Sequence, residues 1–350
     1  MLFTGDIAIP IPSCIKVEKL PDSFKEEFWL GNLEGSLIKN GGGRLAENVV
    51  LNDIDAIKKL TVDIHFKAFS IANNHILDAA PIDTTLENLE SIGMLHVGAG
   101  RDLKEASKYL DIKDKDGTEY TILSFGWDCI KCKYATEKEG GVNPYTRSHV
   151  LESVKACLDK GSKHVVCLFH WNYELELYPS PYDRQLAKQL IDMGVEVVIG
   201  CHAHRVQQIE VYKGKPIVYG LGNFLFPHNI FWNGRLKFPP FTSRELVVEL
   251  KGDSVFAHWF DFDAENNLLT YSGCDKIDEG GMFDCEAAYK GMDGKEYDNF
   301  FAKNRYHKKL LPVFRSNELE ITYWLKAQWV KKRGKLIDFL VKHNFKAKKK

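Results

Sequence analysis

Short runs of consecutive apolar residues recur along the chain, and each ends in polar or glycine-rich positions. The runs VVCLF and VEVVI are separated by QLAKQLIDM, in which apolar residues lie three and four positions apart. A buried strand reads as a short continuous apolar run, whereas spacing of three and four is typical of a helix. The pattern therefore predicts strands over residues 165–169 and 195–199, with a helix over 183–193 between them.

The same alternation of strand and helix patterns extends over most of the chain. This order is typical of an α/β protein. A predicted hairpin turning at Lys213-Gly214 and an antiparallel pair at 245–250 and 255–262 make the predicted sheets mixed. The remaining predicted strands cover residues 1–10, 28–37, 65–72, 94–97 and 119–127, and the remaining predicted helices cover residues 52–60, 84–92 and 150–158.

The pattern weakens after residue 262. Residues 264–300 are rich in Asp, Gly and Asn and predict irregular structure. Helical spacing returns at Ser316, with Lys and Arg between the apolar positions. We therefore predict three parts: a domain over residues 1–262, an irregular extension over 263–315, and a basic amphipathic helix and tail over 316–350.

Length and composition fit a globular chain with one large domain. The chain has 350 residues, 44% hydrophobic and 27% charged, and a formal net charge of -1. That near-neutral charge disfavours a nucleic-acid-binding function. No apolar run reaches the roughly 18 residues of a spanning helix, and the first residues do not resemble a signal peptide. We expect a cytoplasmic protein with reduced cysteines.

Polar side chains that can bind metals follow five predicted strands. Open α/β sheets place their ligands at the carboxyl ends of the strands, so these side chains should converge on one crevice. Carboxylate, amide and imidazole donors suit divalent Mn, Fe or Zn, and two such ions can act together on a phosphoryl group. The residues are Asp6, Glu34, Asn74, His75, His170, His202 and His204.

Each of these residues also has a structural interpretation. A Gly-Asp pair after a strand is usual in turns, which would explain Asp6, and Glu34 fits an edge position. Asn74 fits an Asx turn. Packing explains His202 and His204 poorly, because two imidazoles directly follow a buried strand. Convergence of the whole set is harder to obtain by chance than any single member.

Six short motifs occur in a fixed order, and their order resembles a known family. The motifs are Gly5-Asp6, Asn32-Leu-Glu34, Ala72-Asn-Asn-His75, His170-Trp171, Gly200-Cys-His-Ala-His204 and Gly222-Asn-Phe224. This series resembles the bacterial capsule-synthesis CapA family, also called the poly-γ-glutamate biosynthesis family, over about residues 1–226. That family is similar in fold to the calcineurin-like metallophosphoesterases. The resemblance implies a four-layer αββα sandwich with mixed sheets, followed by a C-terminal helical extension.

The resemblance also implies a role for each residue at the crevice. His75 would act beside the ions as a general acid or transition-state donor, while Glu174 and Asp78 would orient a histidine or shape the pocket. The implied metal ligands are Asp6 and His204 for a first ion, Glu34 as a bridge, and Asn74, His170 and His202 for a second ion.

One departure from the phosphoesterases changes the expected metal content. Their first motif is Asp-x-His, whereas Asp6 is followed by Ile7 and Ala8. The first ion has one ligand fewer, so we expect one or two divalent ions. A single ion would favour cleavage of a carbonyl compound, since one Lewis-acid site is enough to polarise a carbonyl.

Three functions follow from these residues and from the resemblance. The first is a metal-dependent hydrolase of the phosphoesterase type, acting on an anionic polymer or phosphorylated precursor in capsule or surface-polymer biosynthesis. The second is hydrolysis or transfer of an amide or γ-glutamyl bond at the same metal centre. The third is a non-catalytic assembly factor of a polymer synthase, because fold alone does not determine function.

The basic C-terminus has two main interpretations, and a third, nucleic-acid binding, is disfavoured. Lys and Arg crowd residues 331–350, and Trp324 and Trp329 contribute to an apolar side. Such a helix either docks on the domain with a solvated basic tail or makes peripheral contact with the inner face of a membrane.

Overall fold

Two mixed β-sheets form the centre of the protein, as shown by a computed structural model that describes residues 1–278, 288–289, 291–306 and 311–343. The strands are β1 Leu2–Ile7, β2 Lys16–Glu18, β3 Trp29–Leu33, β4 Ser36–Ile38, β5 Leu51–Asp53, β6 Phe66–Ser70, β7 Leu95–Val97, β8 Ala99–Gly100, β9 Leu110–Lys113, β10 Glu119–Gly126, β11 Gly141–Val142, β12 His164–His170, β13 Val197–Cys201, β14 Ile209–Tyr212, β15 Lys215–Val218, β16 Asn223–Leu225, β17 Arg244–Lys251, β18 Ser254–Asp263 and β19 Leu268–Ile277. The helices are α1 Ile54–Asp63, α2 Ile82–Ser91, α3 Leu103–Ala106, α4 Arg147–Asp159, α5 Pro181–Met193, α6 Phe231–Gly234, α7 Gly294–Asn304 and α8 Glu320–Lys342, with short 3₁₀ turns at Asp22–Glu26, Gly41–Arg44, Asp128–Ile130 and Pro240–Thr242.

The larger sheet has the strand order β2-β19-β18-β17-β1-β3-β6-β7, and β16 pairs with the end of β1. The smaller sheet has the order β14-β15-β13-β12-β10-β9. Strands β1, β3, β6 and β7 run parallel, as do β10, β12, β13 and β15. Antiparallel strands flank both parallel sets, so the sheets are mixed as the sequence predicts.

Alternating side chains of the two sheets pack in opposite directions. Phe3, Val166 and Val248 belong to an apolar core between the sheets, to which both sheets contribute. The neighbouring positions Leu2 and Val165 belong to the core that includes the buried sides of α1, α2, α4 and α5. Helices α1 and α2 contact the larger sheet, and α4 and α5 contact the smaller one. The predicted α/β class and αββα layer order are therefore confirmed for the described residues.

Two predicted elements differ from the structure. The single strand expected over residues 28–37 is interrupted at Gly35, where φ is 98° and an added Cβ would lie 2.5 Å from the Val50 carbonyl oxygen. The irregular structure expected over 264–300 is wrong where β19 and α7 form. Strand β19 is mostly half-buried and mixes polar with apolar residues, so it lacks a continuous apolar run, but it pairs with β18 along its length. Residues 279–287 and 290 of this segment lie outside the described residues.

Helix α8 corresponds to the helical pattern predicted from Ser316. Its Ala327 and Val330 are buried, whereas Trp324 and Phe339 are 54% and 55% exposed. The predicted basic tail over 344–350 lies outside the described residues, and the domain boundaries and the membrane contact stay predictions. Within the described ranges, no helix combines the length and apolar character required to cross a bilayer.

Asp183 is a buried acid in the first turn of α5. Its Oδ1 accepts a hydrogen bond of 2.6 Å from the Tyr145 hydroxyl. Burial raises the pKa of Asp183 to about 7, although the hydrogen bond from Tyr145 acts to lower it. The folded protein therefore retains a proton on this carboxyl group at a pH where the unfolded chain has lost it.

We expect Asp183→Asn to reduce the pH dependence of stability. An unfolded Asp has a pKa of about 3.9. The contribution of Asp183 to the free energy of unfolding is therefore fully present below that pH, and it is lost as pH rises through the folded pKa near 7. Between pH 4 and pH 8 the wild type should lose about 2–4 kcal/mol of stability that the variant retains. Denaturant unfolding at both pH values measures this difference, and parallel pH profiles for the two proteins would contradict the assignment.

Candidate metal centre

The carboxyl ends of β1, β3, β12 and β13 lie at one edge of the two sheets. Parallel pairing places Asp6 beside Asn32 and Asn223 in the larger sheet, and places His170 beside Cys201 in the smaller sheet. Asn32 joins the two sheets, since its Nδ2 donates to Asp6 Oδ1 at 2.7 Å and lies 3.3 Å from His170 Nδ1. The strand ends singled out in the sequence therefore meet.

A first group of potential ligands consists of Asp6, Glu34 and His204. Each offers one ligand atom, and these atoms all lie within 4.8 Å of one another. His204 Nδ1 is 3.3 Å from Asp6 Oδ2, and His204 Nε2 is 3.8 Å from Glu34 Oε1. All three side chains are buried. These are the residues that the sequence assigns to a first ion and to a bridge.

A second group consists of Asn74, His170 and His202. His170 Nε2 lies 2.7 Å from Asn74 Oδ1 and 3.2 Å from His202 Nδ1. The two groups adjoin, because the backbone N–H of His202 donates to Asp6 Oδ2 at 3.3 Å. The structure thus brings together the residues assigned to a second ion, although their roles as ligands stay predictions.

The segment after β13 turns both of its histidines with a left-handed backbone. His202 has φ of 90° and His204 has φ of 52°. Such conformations of non-glycine residues cost about 1–3 kcal/mol each and persist where the surrounding structure enforces them, often at functional sites. Here the turn places one imidazole in each ligand group.

Burial and neighbouring charges set the protonation of the histidines. Burial, with the adjacent imidazoles, lowers the pKa of His170 well below its usual range, and burial lowers the pKa of His202 to about 3. Burial also acts to lower the pKa of His204, but the carboxylates of Glu34 and Asp6 outweigh it and raise the value to about 9. His170 and His202 are therefore neutral near pH 7, which is the form that binds metals.

His75 lies beside the first group without belonging to it. Its Nδ1 is 2.6 Å from Asp78 Oδ2, and its Nε2 is 3.7 Å from Glu34 Oε1. Asp78 Oδ2 also accepts a hydrogen bond of 3.1 Å from the backbone N–H of Val50, which fixes the carboxylate. Glu174 lines the same cavity as His75. Asp78 is thus within hydrogen-bond distance of the His75 ring, and its role in orienting that ring stays a prediction.

A cavity of about 500 Å³ opens at Asn74 and His202 of the second ligand group. Asn74, His75 and His202 line it together with the 3₁₀ turn Asp128–Ile130 and part of α8. Its walls are largely apolar, which is usual for ligand sites with a few convergent polar groups. The apolar wall residues include Ile130, Tyr173, Trp232, Leu311, Val330 and Ile337.

Buried asparagines hold the site in place, although the sequence indicates no part in the site for them and a helix cap for Asn52. Asn73 Oδ1 accepts hydrogen bonds of 3.2 Å from the backbone N–H groups of Gly35 and His75. Asn52 Nδ2 donates to the Glu34 carbonyl at 3.0 Å. Asn223 Oδ1 lies 2.9 Å from His204 Nδ1. Asn32, Asn73 and Asn223 lie within the six sequence motifs, and their position there is the signal that could have indicated a role in the site.

The first ligand group fits a divalent cation. Two buried carboxylates close together are costly unless a positive charge compensates them. Because the pKa of His204 is raised to about 9, a proton on its imidazole can supply one such charge near pH 7. Two carboxylates and an imidazole are also the donors that Mn, Fe and Zn accept. The protein is therefore a mixed α/β sandwich with a potential metal centre at the carboxyl ends of its strands.

Comparison with known proteins then identifies the family. Residues 19–228, more than half of the chain, match the family described as "Bacterial capsule synthesis protein PGA_cap". The chain belongs to this family.

Curated relatives share part of the chain. It is 28% identical over 204 residues to a capsule biosynthesis protein CapA of Bacillus anthracis, covering 56% of this chain and 49% of that protein. It is 32% identical over 172 residues to a PGA biosynthesis protein CapA of Bacillus subtilis, covering 48% and 44%. The chain thus spans about half the length of the curated relatives it matches.

Solved structures give a weaker likeness. A calcineurin-like phosphoesterase YfkN from Bacillus subtilis overlaps 94% of this chain and 98% of its own, with 12% identity and a TM-score of 0.41. A 5'-nucleotidase precursor from Thermus thermophilus overlaps 70% of this chain and 44% of its own, with 17% identity and a TM-score of 0.40. The fold assignment rests on the layer order described above.

Proposed function

We propose that this protein is a metal-dependent hydrolase of phosphoester bonds that acts in capsule or surface-polymer biosynthesis. The observation that carries the proposal is the buried group of Asp6, Glu34 and His204, which lies next to His75 in the wall of a cleft that His202 also lines. Family membership supports the biological setting. The substrate would be an anionic polymer or a phosphorylated precursor.

The ligand groups would hold one or two divalent ions. Asp6 and His204 would bind the first, and the second would lie at His170, His202 and Asn74 with Glu34 as the bridge. A bound ion supplies Lewis acidity toward a phosphoryl oxygen and makes an attacking water acidic near neutral pH. Because His170 and His202 are already neutral, they need not lose a proton to bind.

His75 would handle the proton of the leaving group. Its Nδ1–H would donate to Asp78, so the Nε2 proton of the doubly protonated ring would point toward the space beside Glu34 and be available for transfer. A positioned imidazole can donate that proton to the leaving oxygen or stabilise the charge that develops there. Asp78 would act through His75 by fixing the ring and its tautomer.

The metal content of purified protein, reconstituted with Mn, Fe or Zn, tests this proposal. We expect the wild type to bind one to two equivalents and Glu34→Gln to lose at least one, because the amide cannot replace a bridging carboxylate. Glu26→Gln is the matched control, since Glu26 is exposed and distant in the fold. Wild-type protein that binds none of the three metals would contradict the proposal.

The description of one relative supports a second candidate function. One relative of Mycobacterium tuberculosis (strain H37Rv), 30% identical over 166 residues, is described as a probable polyglutamine synthesis accessory protein. The same metal centre could serve hydrolysis or transfer of a γ-glutamyl amide bond. Turnover of γ-linked glutamate oligomers, with no turnover of phosphoesters by the metal-loaded protein, would select this alternative. If the protein bound no metal and turned over neither phosphoesters nor γ-linked glutamate oligomers, a non-catalytic assembly factor would be the remaining function.

A further inference from the structure

Helix α8 forms one wall of the cleft, although it lies outside the family match that ends at residue 228. Val330, Lys331, Arg333, Gly334 and Lys335 line the cavity, followed by Ile337 and Asp338. The side of the helix that faces the cavity therefore carries three cationic residues close to one glycine. These residues face the same space as His75 and His202.

Ion pairs and a hydrogen bond fix α8 on the body of the protein. Lys131 Nζ is 2.8 Å from Asp338 Oδ1, and Lys331 Nζ is 2.8 Å from Asp128 Oδ2. The Trp127 indole N–H donates to the Tyr323 hydroxyl at 2.8 Å. The helix supplies the aspartate of the first ion pair and the lysine of the second, and the segment around the Asp128–Ile130 turn supplies the opposite charges. The wall is thus a defined part of the cleft.

Two of the cationic side chains on this wall are not used in docking. Arg333 and Lys335 line the cavity, yet neither side chain forms an ion pair or hydrogen bond with any residue that the structure describes. Lys131 and Lys331, by contrast, are each paired with an aspartate. Arg333 is half-buried in the cavity wall, whereas Lys335 is exposed at its rim. Arg333 and Lys335 therefore supply positive charge that no ion pair with a described residue neutralises.

We propose that Arg333 and Lys335 bind an anionic group of the substrate that lies away from the reacting bond. This inference rests on the proposed function, in which the metal ligands serve the reacting group. A second anionic group on the same molecule would then meet the cations of α8. A guanidinium binds carboxylate or phosphate through paired donors, and an ammonium adds a compact charge.

The ligand class is a chain that repeats anionic groups along its length. The histidines and the α8 cations share the cavity with apolar residues such as Ile130 and Val330. A chain with carbon spacers between its charges can contact that apolar surface while its charged groups reach both ends. Carboxylate and phosphate chains share the repeated anionic groups, and a binding measurement can distinguish them.

The test is equilibrium binding to the intact protein by the Arg333→Gln, Lys335→Gln double variant. The probes are a fluorescent γ-linked glutamate oligomer and an inorganic polyphosphate of matched charge. We expect the Kd of at least one probe to rise about five- to tenfold, the size of two charge contacts at a partly solvated rim. The difference should shrink when salt is raised from about 50 to about 300 mM, because such contacts are screened.

The matched control is the Lys332→Gln, Lys303→Gln double variant. It removes the same charge from exposed positions that do not line the cavity. An equal loss of binding in both double variants would show a bulk charge effect and overturn the proposal, as would unchanged binding of both probes. Binding is read without turnover, so a protein that holds no metal would defeat the proposed function while this comparison still decides the role of α8.

Discussion

Alanine at position 75 is expected to lower turnover by about 10²–10⁴-fold while the metal content stays at the wild-type level. His75 contacts Asp78 and faces Glu34 at 3.7 Å, but it belongs to neither ligand group. Its removal should therefore eliminate proton donation without releasing an ion. The measurement is kcat on the phosphoester that the metal-loaded wild type hydrolyses, together with metal analysis of the same samples.

Asp78→Asn provides the comparison for this prediction. Because Asp78 orients His75, its loss should cost less, roughly 10–100-fold. In the His75→Ala background the second substitution should add little, since two residues that act as a unit are not additive. A His75→Ala variant with turnover near that of the wild type would remove His75 from the mechanism. Additive losses would show that Asp78 acts independently of the histidine.

Gly5→Ala is expected to reduce the free energy of unfolding by more than about 3 kcal/mol, because the clash is with backbone and not with a movable side chain. A Cβ at this position would lie 2.0 Å from the carbonyl oxygen of Gly222. That oxygen accepts a hydrogen bond of 3.1 Å from the Asp6 N–H, which joins β1 to β16. Separation of the strands would displace Asp6 and Asn223 together. Denaturant unfolding and metal content are the two measurements.

Gly43→Ala is the control for the same change elsewhere in the chain. A Cβ at Gly43 meets nothing within 4 Å. We expect this variant to unfold within about 1 kcal/mol of the wild type, since glycine-to-alanine changes at compatible positions have small effects. If Gly5→Ala were as stable as Gly43→Ala, the close approach of β1 and β16 would not be required.

The sequence predicted the parts of the site that follow from local pattern. Strands β12 and β13 are continuous apolar runs, so their ends could be located and His170 and His202 placed at one edge. The glycine and asparagine residues next to the proposed ligands form motifs in a fixed order, and that order was sufficient to indicate the family. What made these predictions possible is that each depends on residues close together in the chain.

The parts that the sequence did not predict depend on contacts between distant residues. Asn52 supports the Glu34 carbonyl across 18 positions, although its place before a helix suggests a cap; Asp53 caps α1 instead. Strand β19 is ordered by its partner β18 rather than by an apolar pattern of its own. Lys331 and Asp128 are 203 positions apart, so no local pattern could place α8 on the cleft.

The position of α8 has a consequence for how this family can diversify. The proposed metal ligands and His75 lie between residues 6 and 204, whereas one wall of the cleft comes from the last described helix. Exchange of the C-terminal segment would change which molecules enter without altering the residues that hold the ions. A graft of residues 311–343 between relatives would therefore transfer selectivity as a unit. Under the proposed function, the residues for the reaction and the residues for substrate choice would thus lie in separate parts of the chain.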